Sequence, residues 1–297
     1  MQSFIYDKYG YDIKIIDNDT FMYENWVFKI INIGELETVK VIEYINFIKG
    51  LASKLNINCD VIKTRNGDIF ASSDEGNIIL FAIEDYNYSL SHILFIHNMF
   101  TNLVDSTYSL DYIISLWEDK INLIEEKNIP NIQMDDYFYN YVMKSSIYII
   151  GLAENAIQYV KNIMLDYRIN TLPLTISHRR LKSFSFLELL NPFNIVIDFK
   201  GRDYVELFKN NLITIDELFQ CIDKEHMTIM EVSMVFARII FPSNYFDLFE
   251  HSYLTHQDIR NKIIDFYNNI EEYQNELYLI HNKFVNKYKI RTINWLK

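Results

Sequence analysis

Two kinds of hydrophobic pattern divide the chain near residue 90. Before that point, short runs of β-branched and aromatic residues alternate with polar turn segments, a pattern typical of strands. Asn66-Gly67 is the strongest turn signal, because both residues tolerate the positive φ that a tight hairpin needs. Residues 1–88 are therefore predicted to form a small β-rich lobe, with strands at 13–16, 26–31, 60–64, 69–72 and 78–83.

One helix interrupts these strands. Between the second and third strands, apolar residues recur three or four positions apart, which places them on one helical face. They are Val41, Ile45, Ile48, Ala52 and Leu55.

From residue 90 onward the apolar spacing is helical. The interruption at 173–200 contains two predicted strands, 174–177 and 195–197, around a 17-residue polar and aromatic loop. Residues 89–297 are thus predicted to be a helical lobe carrying this strand–loop–strand unit, and the fold class is α+β with two lobes. The predicted helices are 90–104, 109–127, 135–146, 151–167, 203–211, 214–224, 228–240, 255–270 and 272–287.

Charge and composition limit the classes of binding partner that are expected. With 28 basic and 40 acidic residues the formal charge is −12, which disfavours nucleic acid. No run of about 20 apolar residues occurs and the amino terminus lacks a signal-peptide pattern, so neither a membrane span nor secretion is expected. The 22 Tyr and 21 Phe exceed what the core readily hides, which predicts aromatic interaction patches on the surface.

Metal and thiol chemistry have little support in the sequence. Cys59 and Cys221 are far apart and lack CxxC or Cys/His spacing, so both are predicted to be core thiols in a reducing compartment. The seven histidines show no HExxH pattern, so no zinc centre is expected.

The layout, a small β lobe with one helix followed by a helical lobe with a strand–loop–strand unit, resembles the aminoglycoside phosphotransferases of protein-kinase-like fold. Their loop carries His-x-Asp, and a metal-binding Asp ends the second strand. The corresponding strings here are Ile-Ser-His-Arg-Arg at 176–180 and Ile-Val-Ile-Asp-Phe at 195–199. The resemblance implies a metal role for Asp198, with ATP and Mg²⁺ as cofactors if the protein is active. The alternative for Asp198 is a capping or loop carboxylate.

The match fails at the catalytic position. In the loop sequence His178-Arg179-Arg180, Arg180 stands where the family has its catalytic Asp. A guanidinium cannot accept a proton. The family's second metal ligand, an Asn, would fall at Ser185. One carboxylate is a poor Mg²⁺ site unless substrate phosphates complete the shell. The loop is predicted to be degenerate, with His178 bonding the backbone to hold it.

The nucleotide-binding elements of the first lobe are also weak. Lys29 resembles the lysine of the third kinase strand, with Glu37 or Glu43 as its ion-pair partner. The alternative is an exposed strand lysine and two helix-surface carboxylates. Near the first hairpin, the Asp-Asn-Asp-Thr at 17–20 stands where a Gly-rich phosphate loop is expected, which argues against tight ATP binding.

A closer resemblance covers nearly the whole chain and rests on five ordered blocks. They are 151–159, 178–180, 191–206 (Asn-Pro-Phe, Asp198 and Arg-Asp-Tyr-Val-Glu), 237–246 (Ala-Arg-Ile-Ile-Phe-Pro with Tyr-Phe) and 295–296. Together they resemble the YutH-like spore coat proteins, a kinase-fold branch related to the CotS group of endospore-forming bacteria. The resemblance implies a protein made in the bacterial cytoplasm and deposited on the spore coat, with other coat or sporulation proteins as partners. In that family Arg likewise replaces the catalytic Asp.

Three functions stay open from the sequence. The first is a pseudokinase with a structural or interaction role in the spore coat or sporulation, requiring no cofactor. The second is an active ATP- and Mg²⁺-dependent phosphotransferase of the aminoglycoside or choline kinase type.

The third is a binder of an anionic ligand at Arg179 and Arg180, with Lys182 and Arg202 completing a basic pocket. The alternative, on an equal footing, is that these arginines pair within the protein with Asp198, Asp203 and Glu206. Asp203 is also predicted to cap the helix that follows, with Glu206 completing a capping-box-like pair.

Overall fold

The chain divides into two compact units in the computed structural model. One comprises residues 1–99 and 176–197, and the other residues 100–175 and 198–297. The loop between the two late strands thus groups with the β-rich part of the chain. The lobe boundary at residue 88 stays a prediction. Described residues are 2–12, 19–34, 36–73, 76–100, 108–129, 136–255 and 258–296.

An antiparallel sheet forms the centre of the first unit. Its order is β1-β2-β5-β3, and β4 also pairs with β5. The central pair, β2 and β5, runs from Trp26 opposite Glu84 to Gly34 opposite Asn77. The predicted strand 13–16 lies outside the described residues. The strands are β1 (Thr20–Tyr23), β2 (Trp26–Gly34), β3 (Cys59–Ile62), β4 (Ala71–Ser73) and β5 (Gly76–Glu84).

The turn at Asn66-Gly67 forms, but the predicted hairpin does not. Gly67 has φ +87° and donates to the Thr64 carbonyl oxygen at 2.9 Å. The strands on either side do not pair with each other, because β3 and β4 both lie along β5. The glycine is needed for the turn, and β5 supplies the pairing partner.

Three helices belong to the first unit: α1 (Gln2–Tyr9), α2 (Thr38–Lys54) and α3 (Leu90–Phe100). Helix α2 is the predicted insertion, and it buries the predicted apolar residues from Val41 to Ala52. Helix α1 was not predicted from its short sequence. It packs Ile5 and Tyr9 into the core that Phe21, Phe28 and Leu80 form on the sheet.

The second unit is helical, and most of its helices match the prediction. Residues predicted as two helices, 135–146 and 151–167, form one helix, because the backbone continues through Gly151. A helix at 243–255 was not predicted. The helices are α4 (Leu110–Leu123, continued by a π-helical turn Ile124–Asn128), α5 (Asp136–Tyr167), α7 (Gly201–Lys209), α8 (Ile215–Lys224), α9 (Ile229–Ile240), α10 (Ser243–Thr255), α11 (Arg260–Asn268) and α12 (Ile270–Tyr288).

Helix α9 is the core of the second unit. Almost every residue from Met230 to Ile240 is buried, and the helix packs against α5, α7 and α12. Its first turn is fixed by a capping box between Thr228 and Glu231. The basic residue of this helix is Arg238, which bears directly on the candidate site.

Two short strand pairs and one helical turn complete the fold. β6 (Tyr108–Ser109) pairs with β7 (Thr171–Leu172), and β8 (Thr175–His178) pairs with β9 (Ile195–Asp198), which confirms the two strands predicted around the loop. The loop itself contains one turn of helix, α6 (Phe186–Leu189). Within the described part of the chain, no helix is long and apolar enough to cross a membrane.

Candidate functional site

Asp198 ends β9, and the chain turns into α7 three residues later. This turn requires a glycine at position 201. A Cβ there would lie 2.4 Å from the Phe199 ring and 2.5 Å from the Val235 side chain. The close approach sets the first turn of α7 against α9, and so places Arg202 and Arg238 on the same carboxylate.

The Asp198 carboxylate is buried, with 1% of its surface exposed. Its Oδ1 accepts from the Phe199 N–H at 2.7 Å and from Arg238 Nη2 at 3.0 Å. Its Oδ2 accepts from Arg202 Nη1 at 2.5 Å and from Arg238 Nη2 at 2.8 Å. A carboxylate has about four acceptor positions, so these four contacts leave none for a metal ion.

The charges around Asp198 also disfavour a metal ion. Two guanidinium groups face the single Asp198 carboxylate, and a divalent cation would be repelled by both. Burial lowers the pKa of Arg202, but Asp198, with Glu206 and Asp203 nearby, more than offsets this, so the pKa is raised. Arg202 is therefore a permanent cation held by acids of its own unit.

Asp203 does not cap α7 as predicted. The helix begins at Gly201 with Lys200 as its N-cap residue, and Asp203 lies fully buried in the first turn. Glu206 is also buried, and both carboxylates act on Arg202. The expectation of internal pairing is thus confirmed for Arg202.

Sequence reasoning missed Arg238. The signal was present, because Arg238 is a cation within an apolar helix, Ile-Met-Glu-Val-Ser-Met-Val-Phe-Ala-Arg-Ile-Ile. A buried cation of this kind needs an anionic partner. The spacing of 40 residues from Asp198 gave no hint of which carboxylate that would be.

His178 holds the loop through the backbone, as predicted. It is fully buried, and its Nε2 lies 2.9 Å from the Leu189 carbonyl oxygen. This bond ties the end of β8 to the end of α6.

Arg180, at the position predicted to correspond to the catalytic Asp of the aminoglycoside phosphotransferases, is fixed by its backbone. Asn194 Oδ1 accepts from the Arg180 N–H at 3.1 Å, and Asn194 Nδ2 donates to the Arg180 carbonyl oxygen at 2.7 Å. The Arg179 N–H donates to the Asn194 carbonyl oxygen at 2.7 Å. The Arg180 guanidinium donates to the Arg179 carbonyl oxygen at 2.8 Å.

Ser185, the position predicted to correspond to the second metal ligand, is an N-cap. Its Oγ accepts from the Leu187 N–H at 3.2 Å at the start of α6. Glu188 steadies the preceding residues, because its Oε2 accepts from the N–H groups of Lys182 and Ser183 at 2.6 and 3.0 Å.

In the first unit, Lys29 pairs with Asp19 at 2.9 Å. The sheet register explains this pair, since Thr20 lies opposite Lys29 and Asp19 precedes Thr20. Glu37 pairs with Lys40 at 3.2 Å, and Glu43 is exposed. The structure therefore does not bring either predicted glutamate to Lys29.

The donor set does not fit Mg²⁺. Among the residues that the structure describes, no group of three or more His, Cys, Asp or Glu side chains could hold a metal ion. Arginine N–H groups occupy the positions around the Asp198 oxygens where a metal ion would bind.

The fold defines a class of protein. Searching solved structures finds an aminoglycoside phosphotransferase from Alicyclobacillus acidocaldarius, 10% identical, with a TM-score of 0.57 over 92% of this chain and 93% of that one. A spectinomycin phosphotransferase, solved with ADP and spectinomycin, is 12% identical, with a TM-score of 0.51 over 91% and 92%. The chain has the aminoglycoside-phosphotransferase-like kinase fold, with a small antiparallel sheet lobe and a helical lobe.

A family model identifies the family of this chain within that fold. Residues 2–280 match the family model described as "Spore coat putative kinase YutH", so the chain belongs to that family. A search of curated proteins found no match.

Proposed function

We propose that this protein is a kinase-fold component of the spore coat that transfers no phosphate and acts by binding other coat or sporulation proteins. The observation that supports this most directly is the state of Asp198. A phosphotransferase needs metal ions to neutralise the charge on the transferred phosphoryl group. In this chain the carboxylate available for that purpose is saturated by Arg202, Arg238 and the Phe199 N–H.

The second support is the missing nucleophile-positioning group. Phosphoryl transfer to a hydroxyl uses a carboxylate that accepts the hydroxyl proton. Arg180 carries five N–H donors and no acceptor, so it cannot do this. Asn194 fixes the Arg180 backbone from both sides, which holds this residue in the loop without giving it an acceptor.

Family membership and the surface support the proposed binding role. Large apolar side chains of the helical unit are exposed, among them Ile147 at 66%, Leu165 at 75% and Leu279 at 59%. Such side chains on long regular helices suit packing into a protein assembly.

An active phosphotransferase is the competing function, favoured by the presence of Asp198 at the end of β9 and by the ADP bound to one structural neighbour. Calorimetric titration of the wild-type protein with ATP separates the two. With Mg²⁺ and with EDTA we expect the same absence of binding heat, and Arg180→Asp should gain neither ATP binding nor hydrolysis. Mg²⁺-dependent binding with turnover on a hydroxyl acceptor would overturn the proposal.

A further inference from the structure

The linker that follows β5 has a backbone edge that is already occupied. Residues 85–89 join β5 to α3. The Tyr86 carbonyl oxygen accepts from the Phe186 N–H at 3.2 Å, and the Tyr88 N–H donates to the Phe184 carbonyl oxygen at 2.7 Å. Between them, Asn87 and Ser185 form an antiparallel bridge. The linker edge and the loop belong to the same unit.

Side chains hold the loop against this edge. The Tyr88 hydroxyl donates to the Ser183 carbonyl oxygen at 3.0 Å. Its ring makes edge-on contacts with Phe184 and Phe186, with centroids 5.3 and 6.0 Å apart. Phe186 is 2% exposed. The segment 183–187 is therefore packed against the linker and also bonded to it.

The chemistry of the covered edge is specific. A carbonyl oxygen and an N–H two residues apart, pointing the same way, match a ring that carries an amino donor beside a ring-nitrogen acceptor. Adenine has this pair on one edge, as the N6 amino group and N1. The Phe186 N–H and the Phe184 carbonyl oxygen present the same donor and acceptor from within the chain.

We propose that segment 183–187 is a built-in occupant of the 86–88 edge and excludes an adenine base from it. The proposal rests on the proposed function, because it adds a block on base recognition to the loss of metal binding. The two are separable, since base recognition involves neither Asp198 nor Arg180.

Adenosine is the probe, because it has no phosphates. Inosine is the matched control, because it reverses the donor and acceptor at the same two ring positions. The variants are Phe184→Ala/Phe186→Pro and Phe184→Ala/Phe186→Ala. Both variants remove the aromatic rings of Phe184 and Phe186, but only the first removes the N–H that bonds the Tyr86 carbonyl oxygen. Proline suits position 186, because this residue begins α6 and Ser185 before it is extended with ψ 132°.

In the wild type we expect a protected Tyr88 amide in hydrogen exchange and no response to adenosine or inosine. In the proline variant we expect Tyr88 exchange to accelerate by about tenfold or more relative to the alanine variant, with adenosine bound about tenfold more tightly than inosine. Melting curves establish that both variants are folded.

Three results would overturn the proposal. One is wild-type binding of adenosine while the Tyr88 amide stays protected. Another is a proline variant whose Tyr88 amide exchanges fast without a preference for adenosine. The third is continued Tyr88 protection in a folded proline variant, because the segment would then not depend on this edge. The wild-type measurement decides the matter even if a variant fails to fold, and MgATP turnover by the wild type would instead refute the proposed function.

Discussion

At the scale of single residues, the chemistry of the site depends on Arg202 and Arg238. Both guanidinium groups bind the same buried carboxylate, and Arg238 also lies with its Cζ 5.1 Å from the centre of the Phe199 ring. Buried ions are costly unless they are paired and hydrogen-bonded, so each member of this cluster depends on the others. Asp198 thus acts as the counter-ion of the cluster.

Asp198→Asn tests this role through stability. Removing one charge from a buried ion cluster leaves the arginines uncompensated, so we expect a loss of about 3–5 kcal/mol in the free energy of unfolding. Chemical denaturation measures it. The control is Asp166→Asn, which breaks the exposed Asp166–Arg291 pair and should cost less than about 1 kcal/mol. Equal and small losses in both variants would contradict the role of Asp198 as a counter-ion.

His281 gives a prediction for the dependence on pH. It is buried, its Nε2 accepts from the Ile293 N–H at 3.1 Å, and burial lowers its pKa below the ordinary 6.5. The unfolded chain therefore binds a proton on this residue more readily than the folded chain. Stability contributed by neutral His281 is present at pH 7 and is lost as the pH falls below 6.5.

Comparing unfolding at pH 7.5 and 5.5 checks this sign. Gln cannot titrate and keeps an acceptor for the Ile293 N–H, so His281→Gln should lose less stability than the wild type over this interval. The same loss in both proteins would show that other groups cause the acid sensitivity.

At the scale of elements, the position of α7 depends on one glycine and on its packing against α9. Gly201 has no room for a Cβ beside Phe199 and Val235. Gly151, in the middle of α5, has open space around it and an ordinary helical backbone. The two glycines therefore offer opposite outcomes for the same substitution.

Gly201→Ala should destabilise the protein by about 1–3 kcal/mol, because α7 must move away from α9. Gly151→Ala should stabilise it by about 0.5–1 kcal/mol, since alanine favours the helix interior. Thermal and chemical unfolding of the two variants measure the difference. Stabilisation by both would mean that the start of α7 is not tightly packed.

Some helices could be predicted from the sequence alone, whereas the strand pairing could not. Long periodic segments such as α2 and α9 were predicted, because their apolar spacing follows directly from the helical repeat. Helix α6 was missed because a single turn leaves almost no periodic signal. Strand pairing was also beyond the local pattern, since β3 and β4 were expected to pair with each other and both pair with β5.

The same limit applies to the candidate site. The prediction that Arg180 replaces a catalytic Asp rests on a local motif. The pairing of Asp198 with Arg238 was not, because it depends on how α7 and α9 pack. The bonds of Phe184 and Phe186 to the linker join residues about 100 positions apart, and no local pattern predicts them.

At the scale of the whole molecule, the chain has an aminoglycoside-phosphotransferase-like kinase fold and belongs to the spore coat family. The net charge is −12, and several large apolar side chains of the helical unit are exposed. The feature on which the chemistry of this molecule depends is the carboxylate at the end of β9, which binds two arginines.

The most direct measurement uses Mn²⁺ as a paramagnetic substitute for Mg²⁺. The Phe199 amide donates to Asp198 Oδ1, so a metal ion on this carboxylate would strongly broaden the Phe199 amide signal in an NMR spectrum. Titrating the wild-type protein with Mn²⁺ and ATP should leave that signal as sharp as the signals of amides far from the site. Selective broadening of Phe199, reversed by EDTA, would contradict the account.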